Sequence, residues 1–135
     1  MAMLAVVDSD RKFLYVNCGN TGRASDSMIF QTCRLKREID SVNTVFSEET
    51  RILVDSAFAE APFIRKSTAR IGAESARVII EHAFGIFKQQ NRLFLKRYMK
   101  YSHRSDLSPT NHTLKLNAAV IVYNLARIVD HIDFD

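Results

Sequence analysis

The chain has 135 residues, of which 47% are hydrophobic, so it is long enough for one domain with a buried core and too short for two. Its 19 lysines and arginines exceed its 15 aspartates and glutamates, and the formal charge of +4 suits a polyanionic partner without requiring one. No run reaches the roughly 20 apolar residues of a membrane span, and residues 1–7 are too short and uncharged for a signal peptide. We therefore predict a soluble chain that is not secreted. Cys18 and Cys33 lack zinc-site spacing, which favours reduced thiols in an intracellular compartment.

The first half of the chain predicts a hairpin, a helix and a strand. Two short β-rich runs flank a charged turn and predict a β-hairpin over residues 3–18. Ser25 or Asp26 can cap a helix over about 26–39, whose apolar residues recur at helical spacing. An apolar run then predicts a short buried strand over 51–55 that ends at Asp55. Sites in α/β sheets collect at the carboxyl ends of strands.

The second half of the chain predicts two long helices. The first spans about 73–98, and its apolar residues follow the spacing of one buried helical face: Ala76, Ile79, Ile80, Ala83, Phe84 and Phe87. Glu81 lies off that face, toward a groove or solvent. The second helix spans about 110–132, and we expect its apolar residues to cover the core. These residues are Leu114, Ala118, Ile121, Val122, Leu125, Ile128, Val129 and Ile132.

Three carboxylates lie at the edges of apolar or helix-forming segments, where an acid is costly unless it caps, pairs or binds a cation. They are Asp26, Asp55 and Glu81. Each has a structural alternative. Asp26 can cap its helix, Asp55 can cap the segment that starts at Ser56, and Glu81 can pair with Arg77 one turn earlier.

A basic stretch follows Glu81 and admits two interpretations. In the first, its cations contact nucleic-acid phosphates while interleaved aromatic rings stack on bases. In the second, it is a solvated helix face with a core stripe. The cations are Lys88, Arg92, Lys96, Arg97, Lys100 and Arg104, and the aromatic residues are Phe94, Tyr98 and Tyr101. The four histidines show no metal-ligand spacing.

The order of these elements, with acids at two transitions and on a late helix, is that of a ribonuclease H-like nuclease core. Residues 6–16, 22–27, 54–58 and 75–85 resemble the Harbinger transposase-derived nuclease family, a DDE superfamily endonuclease. Residues 119–124 are similar to the terminal helix signature of that family. The resemblance covers most of the chain and implies an α/β fold, a ribonuclease H-like DDE nuclease core.

The resemblance also implies site residues and a cofactor. Asp55 and Glu81 match the second and third members of the catalytic triad, and Asp26 matches an accessory acid. All three would be ligands of Mg²⁺ or Mn²⁺, which need hard oxygen donors. The family's first aspartate lies on an earlier strand, so the resemblance implies a core incomplete at its N-terminus, without the first central strand. The flanks of Asp8 match a later hairpin, whose acidic turn is not a ligand.

Two functions remain in view. The first is a metal-dependent endonuclease or transposase-like domain that cleaves DNA phosphodiester bonds. Its location would be the nucleus, with the cytoplasm as the alternative, and a separate DNA-binding protein would be a further partner. The second is a non-catalytic, domesticated transposon remnant that binds DNA or a protein. The sequence leaves the oligomeric state open.

Overall fold

The computed structural model describes residues 2–20, 23–41, 46–47, 49–67, 73–92, 95–96 and 109–130. Within these ranges the chain forms a mixed α/β structure with two small sheets and four helices. The elements in chain order are β1 (Ala2–Val7), β2 (Phe13–Asn20), α1 (Asp26–Thr32), α2 (Arg34–Asp40), β3 (Ile52–Val54), β4 (Ile64–Lys66), α3 (Ala73–Gln90) and α4 (Pro109–Val129). Among the described helices, none combines the length and the apolar character that crossing a bilayer requires.

An aspartate organises the hairpin of β1 and β2. The strands are antiparallel, with Val6 opposite Tyr15, where the sequence predicted a hairpin over 3–18. In the turn, Asp8 Oδ1 accepts hydrogen bonds from the backbone N–H groups of Asp10 and Lys12, both at 2.9 Å. Arg11 takes a φ of 65°, which lets the chain reverse between these bonds.

Where the sequence predicted one helix over about 26–39, the structure has two. Cys33 has an extended backbone and separates the two helices, as the C-cap of α1 and the N-cap of α2. Thr32 favours the break because its hydroxyl donates to the carbonyls of Met28 and Ile29, within 3.3 Å, in competition with the backbone ladder. Cys33 is buried, so the break is held by packing.

The strand predicted over 51–55 is present as β3, but it is not buried as predicted, because Leu53 is exposed and its two neighbours are half-buried. Strand β4 pairs with it in parallel, Ile52 opposite Ile64. Strand β4 is not among the elements predicted from the sequence. Parallel neighbours usually need a crossover of about a dozen residues or more, whereas residues 55–63 make this connection with turns. Phe63, at a φ of 65°, redirects the chain immediately before β4.

The two long helices differ in whether the face predicted to be buried is the buried one. In α3, Ala83 and Phe87 of the predicted face are buried, and the helix ends at Gln90 rather than near residue 98. For α4 the prediction is wrong, because the described residues that were expected to cover the core are exposed. Ile132 lies outside the described residues. The buried face consists of Leu116, Val120 and Tyr123.

The hairpin lies between two hydrophobic cores. The first, the α3–α4 core, consists of Phe13, Ala83, Phe87, Leu116, Val120 and Tyr123. The second, the α1–α2 core, consists of Phe30, Cys33, Ile39 and Ile64. Met3, Ala5 and Val7 of β1 pack on the first core, while Leu4 packs on the second. This is the alternation that a strand buried on both faces requires.

Candidate functional site

Asp55 follows β3 directly and is exposed. Its Oδ1 accepts hydrogen bonds from the Ser56 backbone N–H at 2.6 Å and from the Ser56 hydroxyl at 3.2 Å. Its backbone carbonyl accepts from Phe58 N–H at 3.1 Å, which closes the turn after the strand. The carboxylate therefore sits at the carboxyl end of a strand, with its position set by the turn that follows.

Glu81 lies on the exposed side of α3, away from the buried residues Ala83 and Phe87. Its Oε1 accepts a hydrogen bond from Arg77 Nε at 2.9 Å. This is the i, i+4 pair given above as the structural alternative for Glu81. Both side chains are more than half exposed, so the pair is open to solvent and to any ligand on this side of the helix.

Arg77 is affected by the charges of both predicted catalytic acids. Its pKa is raised, first by the hydrogen bond from its guanidinium to Glu81, then by the charge of Glu81, and then by the charge of Asp55. The charge of Asp55, after β3, therefore adds to the effect of Glu81 on α3 in favouring the protonated form of Arg77.

Asp26 occupies the first turn of α1 and is exposed. It is not the cap of this helix, because the Ser25 hydroxyl oxygen accepts from the Met28 backbone N–H at 3.3 Å and fills that role. Within the described chain the Asp26 carboxylate forms no hydrogen bond or ion pair. Helix capping, the structural alternative for Asp26, is therefore not the role of its carboxylate.

The predicted acids supply part of a metal site. Across the described ranges, no three Asp, Glu, His or Cys side chains form a group that could hold a metal ion. Mg²⁺ demands about six oxygen ligands in near-octahedral geometry. The described residues, Asp55 and Glu81 among them, therefore do not by themselves fit a complete divalent site.

Part of the predicted nucleic-acid surface lies on the same helix as Glu81. Positions 77, 81, 85 and 88 are spaced by three or four residues, so they follow one side of α3. Lys88, and beyond the helix Arg92 and Lys96, are exposed, and no described residue pairs with these three cations. Arg97 and Lys100 lie outside the described residues.

Between Glu81 and Lys88, a Cβ added at Gly85 would meet no atom within 4 Å, so the surface there is open.

Sequence reasoning missed the shared role of Arg77. The i, i+4 spacing identified its pair with Glu81, but the effect of the Asp55 charge comes from a separate element and has no local signal. The likeness of residues 119–124 to a helix signature also gave no sign that the Asn124 side chain bonds both backbone groups of Phe13, at 2.9 and 2.8 Å.

A family profile described as DDE superfamily endonuclease matches residues 1–124 of this chain. No curated protein and no solved structure matches it.

Proposed function

Because the chain belongs to the DDE superfamily endonuclease family, we propose that it acts on DNA and cleaves phosphodiester bonds with the help of divalent metal ions. Membership implies a ribonuclease H-like fold, and DDE nucleases generally use divalent metals. The observation that carries the proposal is that two acids of the matched motifs, Asp55 directly after β3 and Glu81 on α3, are exposed and both raise the pKa of Arg77.

In this proposal Asp55 and Glu81 are metal ligands and the catalytic acids, and Asp26 is an accessory ligand. Bound Mg²⁺ or Mn²⁺ would activate water and stabilise the leaving oxygen. Arg77 competes with a metal ion for Glu81, because its guanidinium already donates to that carboxylate. A further hard ligand has to come from outside the described residues, since these supply no group of three.

The DNA backbone would run along the exposed side of α3. Lys88, Arg92 and Lys96 have no described anionic partner, and unpaired cations gain most from phosphate contacts. Arg97 and Lys100 would extend this surface. Open space above Gly85 leaves room for a strand to pass between Glu81 and Lys88. Replacing Lys88 and Arg92 by Ala should weaken DNA binding and reduce its salt dependence, as measured by fluorescence anisotropy across a salt series.

We further propose a Harbinger-type transposase origin, a nuclear location and a separate DNA-binding protein as partner. These rest on the motif resemblance and on the DNA substrate. Imaging of a tagged chain tests the location, and a chain spread evenly through the cytoplasm would count against it.

The second candidate function is a remnant that binds DNA or a protein partner without cutting. The observation in its favour is that no three potential ligands come together in the described parts of the chain. Such a protein would keep the basic surface and show no response to metal.

Melting and cleavage in the presence of Mn²⁺ or Mg²⁺ separate these functions. A ligand that binds only the folded state raises the melting temperature. We expect Mn²⁺ to stabilise the parent chain, and Asp55→Asn and Glu81→Gln to abolish both this stabilisation and DNA cleavage. The matched control is Glu38→Gln, because Glu38 also forms an exposed i, i+4 pair, with Arg34 at 3.5 Å.

The control should keep the metal response of the parent. Cleavage that survives Glu81→Gln would refute the catalytic assignment. DNA binding without metal stabilisation or cleavage would favour the remnant.

A further inference from the structure

Helix α4 is apolar on two opposite sides, and the described chain covers one of them. Leu116, Val120 and Tyr123 face the α3–α4 core and are buried. The opposite side is the outer stripe, which consists of Leu114, Ala118, Ile121, Val122, Leu125, Ile128 and Val129. Its Leu, Ile and Val side chains are between 47% and 65% exposed. A helix that is apolar all round is normally buried all round.

The spacing of the outer stripe is that of a helix-pairing surface. Leu114, Ala118, Ile121, Leu125 and Ile128 alternate four-residue and three-residue steps, the a/d repeat by which helices pack against one another. At 100° per residue, the whole stripe occupies an arc of about 120°. It contains no charged residue, so two such surfaces would meet without like-charge repulsion.

We propose that the outer stripe of α4 is a dimer interface that pairs with the same stripe of a second copy of this chain. An uncharged a/d surface is self-complementary, as a two-fold interface requires. Six side chains that are about half exposed offer on the order of 500 Å² per copy, so two copies bury on the order of 1,000 Å², the lower bound for specific protein pairs. The area therefore supports a dimer that dissociates on dilution.

A groove beside the stripe gives the partner helix a place to anchor. It has a volume of about 280 Å³ and is lined by Asn91, Lys115, Ala118, Ala119 and Val122. Ala118 and Val122 belong to both the groove and the stripe. The small side chains there leave room for a Leu or Ile from the second copy, in the manner of a knob entering a hole.

Sedimentation velocity of the purified chain over a wide concentration range tests this proposal. We expect the mass to rise from one chain to two, and Ile121→Glu with Leu125→Glu to hold it at one chain throughout. Because both residues are exposed in the single chain, the double variant should fold, which circular dichroism checks in dilute solution. Met28→Glu on α1 is the matched control, since Met28 is 65% exposed on another helix and should leave the dimer unchanged.

Two results would overturn the proposal. One is a parent chain with the mass of a single copy at every concentration, which would assign the stripe to a different occupant. The other is a dimer that persists in the folded double variant, which would place the interface elsewhere. Neither result bears on metal binding or cleavage.

Discussion

At the scale of single residues, the acids of this chain differ in the hydrogen bonds and ion pairs that their carboxylates form. Asp8 accepts two backbone hydrogen bonds in its turn and pairs with Lys12. A carboxylate so engaged would lose these bonds on moving toward a metal ion. Asp26 has no described partner, and Glu81 has an exposed one in Arg77. The contacts therefore hold Asp8 in the hairpin and leave the carboxylates of Asp26 and Glu81 exposed to solvent.

The two glycines that the structure describes in detail should respond oppositely to alanine. Gly85 lies inside α3 with open space where a Cβ would go, so Gly85→Ala should stabilise the fold by about 0.5–1 kcal/mol through helix propensity. Gly19 has a φ of +101°, and its Cβ would lie 2.8 Å from Thr113 Oγ1, so Gly19→Ala should destabilise. Urea unfolding followed by circular dichroism measures both. Changes of the same sign would contradict this account.

At the scale of elements, α4 is attached to the hairpin by two adjacent side chains. The Tyr123 hydroxyl donates to the Arg11 carbonyl at 2.9 Å. The Asn124 amide bonds both backbone groups of Phe13, as a neighbouring strand would. Both residues belong to the segment 119–124, whose likeness to a terminal helix signature was noted from the sequence. In this structure that signature has a structural use, joining the last helix to the start of β2.

Asn124→Ala tests this attachment. The substitution would leave the N–H and the C=O of the buried Phe13 without their partner, at a cost of about 2–4 kcal/mol in the free energy of unfolding. Asn117→Ala, one heptad earlier, is the control. It removes only a weak bond from the Cys18 thiol at 3.4 Å and should cost less than about 1 kcal/mol. Urea midpoints that fall equally in the two variants would contradict the proposed attachment.

At the scale of the whole molecule, burial makes the fold sensitive to alkaline pH. Burial raises the pKa of the Cys18 thiol and is the first cause of the raised pKa of both Tyr15 and Tyr123. All three groups lie where the hairpin meets the helices. Because the folded state holds their protons more tightly than the unfolded chain does, their contribution is complete below the unfolded pKa values and is lost as pH rises.

Unfolding free energy should therefore decline as pH rises above about 8.5, where an unfolded cysteine titrates, and further above about 10, where tyrosine does. Urea unfolding at a series of pH values measures this decline. Cys18→Ala should remove the decline that begins near pH 8.5 and keep the tyrosine-dependent decline above about pH 10. A stability that is flat or increasing over this alkaline range would show that these groups do not control it.

Much of the fold and some of the site follow from sequence. Alternation and turn chemistry predict the hairpin, 3.6-residue periodicity predicts which side of α3 is buried, and i, i+4 spacing identifies Arg77 as a partner of Glu81. These signals are local, because each depends on residues within one element. The motifs around Asp26, Asp55 and Glu81 pointed to the DDE family, to which the chain belongs.

Tertiary structure decided the features that depend on contacts between elements. The break at Cys33 follows from burial of that residue, and the strand β4 from its pairing with β3. The charge of Asp55 raises the pKa of Arg77, which belongs to a different element. Helix α4 carries apolar residues on two sides, so its periodicity could not say which side covers the core. Packing against Phe13 and Phe87 selected the side of Tyr123, because only that side meets their rings.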